Sequence, residues 1–209
     1  MTWRGTAVLA LLLAIGVAVG YGASWTLGAN PSGTGPAAPV PASPSLPVDP
    51  VPELLDDPEF PPLATGLPLV RQSVGAGDFQ MTLPVPKGWS YFENSLNEWQ
   101  WRPPDQPAFG YVLRVEQVLS NRRSIAWTLD RRLAELREDE SNVEVLAQTR
   151  DSLHFTFVTA NHLRYGYLRW LDLTGSDNAQ VEIAVTGREV DDPGMADLIA
   201  RVGSGVRLG

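Results

Sequence analysis

Residues 79–89 read FQMTLPVPKGW and decide the fold class of the chain. Phe79, Met81 and Leu83 recur at every second position, so their side chains share one face of a β-strand. The turn residues 86–88 follow directly, as they do at the end of a strand. A hydrophobic period of two rather than 3.6 predicts that the folded part of the chain begins as a β-sheet.

The rest of the predicted domain contains segments with a hydrophobic period of two and segments with a hydrophobic period of 3.6. Strands are predicted over the segments 98–102, 109–118, 143–149, 153–159, 162–173 and 180–186. Apolar residues at helical spacing predict one helix over 124–137 and a closing helix over 191–203. Ala160-Asn161 is short enough for a tight hairpin that pairs Thr159 with His162. We therefore predict an α+β fold, a predominantly antiparallel β-sheet covered by two main helices.

The opening stretch also carries a family resemblance. Residues 77–89, GDFQMTLPVPKGW, resemble the F-x-hydrophobic-x-hydrophobic-P…GW opening of PsbP-like α/β/α sandwich domains. The later strand VEIAVTG at 181–187, followed by the closing helix, is similar too. Actinobacterial exported LpqN-type and alanine/proline-rich proteins carry such domains. The resemblance covers residues 69–209 and implies a non-enzymatic accessory or binding protein that has no shared catalytic set.

Upstream of this domain, the chain begins with an apolar run. Arg4 is the only charged side chain before Asp49, and the apolar run at 7–28 that follows it has about 22 uncharged residues, enough for a helix to span a bilayer. The positive charge before the run predicts a cytoplasmic stub at 1–6, a transmembrane helix or uncleaved signal anchor at 7–28, and an extracytoplasmic remainder. Cleavage of a signal peptide near residues 18–20, which would give a secreted protein, is the alternative.

A proline-rich segment separates the apolar run from the domain. Of the 18 prolines in the chain, 12 lie between residues 31 and 68, without hydrophobic periodicity. Such a composition is typical of an extended spacer, so we assign 29–68 as a disordered spacer and 69–209 as the extracytoplasmic domain. The acidic patch at 52–62 is expected to be solvated. Its docking onto the domain or a partner is the alternative.

Charge and cysteine content exclude several functional classes. The net charge of −8 argues against nucleic acid as the partner, because phosphate binding requires a basic face. With no cysteine, the chain has no disulfide, no thiolate zinc site and no lipid-modified N-terminal cysteine, so it departs from the lipidated members of the family that it resembles. We expect membrane contact through the N-terminal helix instead.

The sequence offers little to a catalytic interpretation. The two histidines, His154 and His162, lie several residues apart along the predicted hairpin, too far apart to share a metal ion. Neither an HExxH nor a GxSxG motif is present, and the acidic run 138–140 ends a helix with its side chains diverging. We therefore expect no catalytic residues, no metal and no cofactor.

Aromatic residues are the remaining candidates for a binding site. Five candidates for contact with an apolar ligand lie in the predicted domain: Trp89, Tyr91, Trp99, Trp101 and Trp170. Each has a competing interpretation as a core residue. Arg164 and Arg169 fall on opposite faces of one strand, so at least one faces the helix layer or the edge of a cleft, where it can pair with a carboxylate.

Taken together, these features favour a membrane-anchored, extracytoplasmic, non-enzymatic interaction or accessory module of the bacterial cell envelope. Its expected partners are envelope proteins or cell-wall components. The alternative is a carrier or sensor of an apolar, lipid-like ligand in a tryptophan-lined pocket. A hydrolase with a dispersed site is the less favoured third hypothesis.

Overall fold

The computed structural model describes residues 53–77, 80–119 and 123–209. The predicted stub (1–6), the predicted membrane helix (7–28), the spacer up to residue 52 and Phe79 lie outside these residues. Within the described ranges, no helix combines the length and the apolar composition that a bilayer crossing needs.

Seven antiparallel strands form the larger of two sheets, in the order β3-β4-β5-β9-β8-β7-β6. These strands are β3 (Ser90–Ser95), β4 (Glu98–Arg102), β5 (Val112–Gln117), β6 (Ser141–Gln148), β7 (Ser152–Thr159), β8 (His162–Leu171) and β9 (Val181–Gly187). β3 is an edge strand, and all six of its residues are exposed.

A smaller sheet contains the other three strands, β1 (Leu69–Val74), β2 (Met81–Pro86) and β10 (Arg207–Leu208), with β2 in the centre. β2 is the strand of the FQMTLPVPKGW stretch, and Met81 and Leu83 are buried, as their alternation predicts, together with Val85. β1 and β10 were not predicted, because β1 exposes most of its residues and β10 has only two.

In residues 53–77, 80–119 and 123–209, two helices cover opposite faces of the seven-stranded sheet. Helix α1 (Ile125–Asp139) packs its buried residues against one face, beside Phe155 and Leu168. Helix α2 (Asp192–Gly205), together with the smaller sheet, packs against the other face beside Ile183. The predicted α+β fold is confirmed: the sheets are antiparallel and two helices cover the larger one.

The β7–β8 hairpin confirms the predicted register. Ala160 and Asn161 have φ angles of 47° and 62°, and positive φ at both central residues is characteristic of a type I′ turn. Thr159 is therefore opposite His162, as expected. This hairpin sets the position of every later residue on β8.

The segment that precedes β1 contacts the domain, although most of its residues are exposed to solvent. We call residues 54–68 the strap. The Leu55 N–H donates to the Asn161 carbonyl (2.8 Å), the Leu63 side chain is buried in the core, and the Gly66 N–H donates to Asp197 Oδ2 (2.8 Å). The folded part thus begins before the predicted boundary at 69. Most of the hydrogen bonds that hold the strap involve its backbone groups. Because every residue type has these groups, the sequence of the strap shows no hydrophobic period that would predict the contact.

Candidate functional site

Two buried arginines hold the strap, and the first is fully paired. Arg188 donates through Nε and Nη2 to both carboxylate oxygens of Asp191, each at 2.8 Å. Its Nη1 donates to the Pro58 and Phe60 carbonyls (2.9 Å each) and its Nη2 to the Pro61 carbonyl (3.2 Å). The hydrogen bonds to Asp191 raise the pKa of Arg188. All five N–H groups are used, so this Arg188 clamp is structural.

Asp191 completes the clamp from the start of α2. Its carboxylate accepts hydrogen bonds from the backbone N–H groups of Leu63 and Arg188, both at 2.9 Å, instead of capping the helix with its side chain. Gly194 lets the strap approach, because a Cβ atom there would lie 2.0 Å from the Leu63 carbonyl oxygen. The strap therefore has one defined path across the N-terminal end of α2.

The second arginine lies in a cavity of about 560 Å³, a volume typical of small-ligand sites. We call it the Arg164 cavity. The connection between β4 and β5 forms one wall, and the ends of β3, β8 and β9 form the others. Its lining residues are Ser90, Phe92, Arg102–Val112, Thr159, Arg164 and Thr186.

Arg164 is buried but incompletely paired. Its side chain is 4% exposed, and its Nη2 lies 2.7 Å from Oδ1 of Asp57 in the strap, aligned as an ion pair rather than as a directed hydrogen bond. Among the described residues, Nε and Nη1 have no hydrogen-bond partner. Asp57 is 38% exposed, so its carboxylate keeps contact with water. A buried guanidinium normally has its N–H groups satisfied, so Arg164 has donors available to a ligand.

The wall opposite Arg164 is built on a strained backbone. Asp105 and Phe109 have φ angles of 57° and 63°, and the left-handed region is unfavourable for a bulky side chain. In this conformation the Phe109 ring stacks on His162, with centroids 4.4 Å apart, and lies 5.8 Å from the Arg164 guanidinium carbon. Strain of this kind is common at binding sites.

A second donor lies in the same wall. Gln106 Nε2 is buried and has no partner among the described residues. Gly110 makes room for it, because a Cβ at that position would lie 1.8 Å from Gln106 Nε2. The cavity thus combines two buried donor side chains with apolar walls of phenylalanine and proline.

The lining of the cavity combines charged, hydroxyl-bearing and apolar side chains. Among the described residues that line it, Asp105 is the single carboxylate, and none is a histidine, a cysteine or a lysine. The cavity can therefore position a ligand through charge, hydrogen bonds and apolar contact.

Three of the predicted aromatic candidates lie in the core. Trp99, Trp101 and Trp170 are each 1% exposed. Trp99 and Trp101 share the face covered by α2, as their spacing predicts, whereas Trp170 belongs to the core beneath α1. The indole of Trp170 donates to Glu182 (3.0 Å). The three rings therefore do not line one common pocket.

The other two candidates lie nearer to the surface. Tyr91 is 41% exposed on edge strand β3, with its ring 5.5 Å from that of Trp101. Trp89 is half-buried, 5.7 Å from the ring of Tyr111. Neither is among the residues that line the Arg164 cavity. Ligand contact by these two residues stays a prediction.

The histidines lie on opposite faces of the sheet, as their register requires. His154 stacks on Tyr167 at 3.9 Å, and its Nε2 lies 3.0 Å from Asp192 Oδ1. Burial and a hydrogen bond to Asp192 raise the pKa of the Tyr167 hydroxyl. In the part of the chain that the structure describes, no three His, Asp or Glu side chains are arranged to hold a metal ion.

A smaller cavity of about 240 Å³ lies beside α1, where Glu135 lies 2.7 Å from Arg131 and 3.7 Å from Arg132, and the buried Nε of Arg132 has no hydrogen-bond partner among the described residues. Arg114 contacts Glu116 (2.9 Å), Glu98 (3.4 Å) and Glu182. Burial raises the pKa of Glu116. Because acids and bases compensate one another here, this cluster offers less to a ligand than the Arg164 cavity.

Both arginines of β8 lie near a carboxylate, since Arg169 Nε is 3.5 Å from Asp151 Oδ2. Arg164 and Arg169 lie on opposite faces, and Arg164 pairs with a carboxylate at the edge of a cleft, as predicted. Asp57, Gln106 and Phe109 were missed. No local pattern identifies Asp57, because its partner Arg164 is far away in the sequence. No local pattern identifies Gln106 and Phe109 either, because the loop that carries them depends on positive φ angles at Asp105 and Phe109.

Comparison with known proteins gives distant likenesses. No family model and no curated protein matches the chain. It is similar to the crystal structure of the Ran-binding protein Mog1p of Saccharomyces cerevisiae, with 12% identity and a TM-score of 0.45 over 68% of this chain and 96% of that one. It is also similar to LpqN of Mycobacterium tuberculosis, involved in cell envelope biogenesis, with 14% identity and a TM-score of 0.41 over 67% and 91%. Likenesses at this level carry no conclusion about function.

Proposed function

We propose that the chain is a non-enzymatic binding module of the bacterial cell envelope, with a PsbP-like domain, whose binding site is the Arg164 cavity. A transmembrane helix at 7–28 holds it in the membrane, and the proline-rich spacer presents the domain on the outer side. Its role is to recognise an envelope component and to act as an accessory to envelope proteins.

One observation carries the binding function. A cavity of about 560 Å³ contains a buried guanidinium whose Nε and Nη1 lack partners among the described residues. Each buried donor without an acceptor costs about 1–3 kcal/mol of stability, and more where the group is charged. The presence of such donors in a cavity therefore supports a binding function. A bound ligand supplies the missing acceptors.

The anchoring rests on the sequence. Arg4 before an apolar run favours a membrane helix with the remainder of the chain outside. The strap supports presentation of the domain, because the Arg188 clamp ties residues 58–61 to the fold and so joins the spacer to the domain at a defined place.

The anchoring is tested by fractionation of cells that express the full chain with a C-terminal epitope. We expect the protein to stay with membranes after alkaline extraction, and protease added to spheroplasts to remove the epitope. A cytosolic protein that lacks membrane association, or an epitope protected in intact spheroplasts, would overturn this part of the proposal.

The binding function is tested with the full chain and a set of small aromatic compounds, observed by saturation-transfer NMR. We expect at least one of them to bind to the wild type, and Phe109→Ala to abolish its signal. Tyr91→Ala is a matched control, because both rings are 41% exposed and only Phe109 lines the cavity. Binding that depends on Tyr91 and not on Phe109 would move the site to β3, and a set without any binder would contradict the proposal.

A further inference from the structure

The position of Asp57 on Arg164 restricts how a ligand can bind. A guanidinium presents two edges to an oxyanion, one formed by Nε and Nη2 and the other by Nη1 and Nη2. Both edges include Nη2, and Nη2 is the atom that Asp57 contacts at 2.7 Å. Nη2 has one N–H on each edge, so an oxyanion bound on the edge that Asp57 leaves free would place a second negative charge at the same guanidinium, close to the Asp57 carboxylate.

We propose that the Arg164 cavity binds a small organic oxyanion, a carboxylate or phosphate on an apolar body, and that this oxyanion displaces Asp57 and releases the first residues of the strap. This inference rests on the proposed function, because it names the ligand class and the regulation of the same cavity.

The ligand class follows from the lining. An anion is required because the buried donors are a guanidinium and the amide of Gln106. An apolar body is required because Phe92, Phe109 and the prolines of the β4–β5 connection form the walls. The guanidinium carbon of Arg164 lies over the aromatic ring of Phe109, 5.8 Å from its centroid, so the apolar wall and the cation are adjacent.

Displacement of Asp57 is feasible because this carboxylate is partly solvated. At 38% side-chain exposure it can rotate into water at small cost, whereas Arg164 stays buried and exchanges one anion for another. A bound oxyanion also repels Asp57 directly. Ligand binding and attachment of the strap therefore oppose each other at a single guanidinium.

Release is confined to one end of the strap. Besides the Asp57 ion pair, this end is held by the hydrogen bond from the Leu55 N–H to the Asn161 carbonyl. The other end is held by the Arg188 clamp and by the hydrogen bond from the Leu63 N–H to Asp191. The cavity thus controls the membrane-proximal end of the strap while the domain stays folded.

The ligand class is tested by calorimetric titration of the full chain with four probes of one shape: benzoate, phenyl phosphate, benzyl alcohol and benzylamine. We expect at least one of the two anions to bind about tenfold or more tightly than the alcohol and the amine. Arg164→Met should abolish this preference, and Arg169→Met should keep it, since Arg169 lies on the same strand but on the opposite face. An anion preference that survives Arg164→Met overturns the inference.

The competition is tested with Asp57→Asn, which leaves the cavity intact. Removing the competing carboxylate should tighten binding of the preferred anion by about threefold to tenfold. Saturating anion should also speed hydrogen exchange at the Leu55 amide in the wild type, with the Leu63 amide in the same strap as the internal control. Unchanged affinity in Asp57→Asn, or equal acceleration at both amides, contradicts the coupling.

The same titrations separate this inference from the proposed function. If benzyl alcohol binds as tightly as the anions and Phe109→Ala removes both, the cavity is a binding site but the oxyanion inference is wrong. If none of the four probes binds and the aromatic set also gives no signal, the binding function itself fails.

Discussion

Arg188 and Arg164 both hold the strap, yet their surroundings differ in one decisive respect. Arg188 is enclosed with a carboxylate that has no exposure, and each of its five N–H groups has an acceptor. Arg164 is as deeply buried, but its one ionic partner is Asp57, which is half-exposed to water, and two of its nitrogens have no partner among the described residues.

This difference separates a structural arginine from a binding one. A closed set of hydrogen bonds offers nothing to a ligand, and removing one member leaves an unpaired buried charge. An arginine beside a cavity whose hydrogen bonds are incomplete contributes little to stability, and its free N–H groups can donate to a ligand. Burial alone would have assigned both arginines the same role, so the number of satisfied donors is the informative quantity.

The largest expected effect is at the clamp. Arg188→Met should lower the free energy of unfolding by about 3–5 kcal/mol, because it leaves the Asp191 carboxylate buried without its counter-ion and three strap carbonyls without donors. Urea denaturation of the full chain at neutral pH measures this loss. Arg71→Met, at an exposed position on β1, should change stability by less than about 0.5 kcal/mol. Equal effects at the two positions would contradict the structural role of the clamp.

The next effect concerns the path of the strap. Gly194→Ala should cost about 1–3 kcal/mol, because the new methyl group would lie 2.0 Å from the Leu63 carbonyl oxygen and the strap must move. Hydrogen exchange at the Leu63 amide should also be faster in Gly194→Ala than in the wild type. Ala200→Ser, exposed on the same helix, is the control. A fully stable Gly194→Ala protein with unchanged exchange would mean that the strap lies elsewhere.

A much smaller effect is expected at the second arginine. Arg164→Met, the same substitution as at the clamp, should change the free energy of unfolding by no more than about 1 kcal/mol, because Asp57 simply returns to water. The two methionine variants are measured side by side by urea denaturation. A loss at Arg164 as large as that at Arg188 would remove the distinction between the two residues.

The fold was predictable because, in this domain, the hydrophobic pattern of each segment predicts the strand or helix that the segment forms. Period-two alternation identified β2 and the long strands, and helical spacing identified α1 and α2. The turn at Ala160-Asn161 set the register of β8 and hence the opposite faces of Arg164 and Arg169. These features depend on neighbours within about ten residues.

The strap and the cavity were not predictable for the opposite reason. Arg188 binds carbonyl oxygens of Pro58 and Phe60, and a carbonyl is the same in every residue type, so the sequence carries no mark of the contact. Asp57 pairs with a residue more than a hundred positions away. The sequence also leaves the role of the tryptophans open, because a large ring suits a core as well as a pocket, and the core holds three of the five candidates.

The smallest expected effect concerns Asp172, a surface carboxylate that, like the carboxylate of the clamp, accepts several hydrogen bonds. Burial by itself would raise the pKa of Asp172, but the backbone N–H groups of Thr174, Asp177 and Gly175 donate to it and lower its pKa to about 2. The ionised carboxylate therefore contributes stability above the ordinary pKa of 3.8, and this contribution is lost as the pH falls through about 2. The stability advantage of the wild type over Asp172→Asn should be constant near neutral pH and shrink between about pH 4 and pH 2. Carbon-13 NMR of the Asp172 carboxyl group gives its pKa directly, and a midpoint at the ordinary value would show that the backbone donors do not hold this charge.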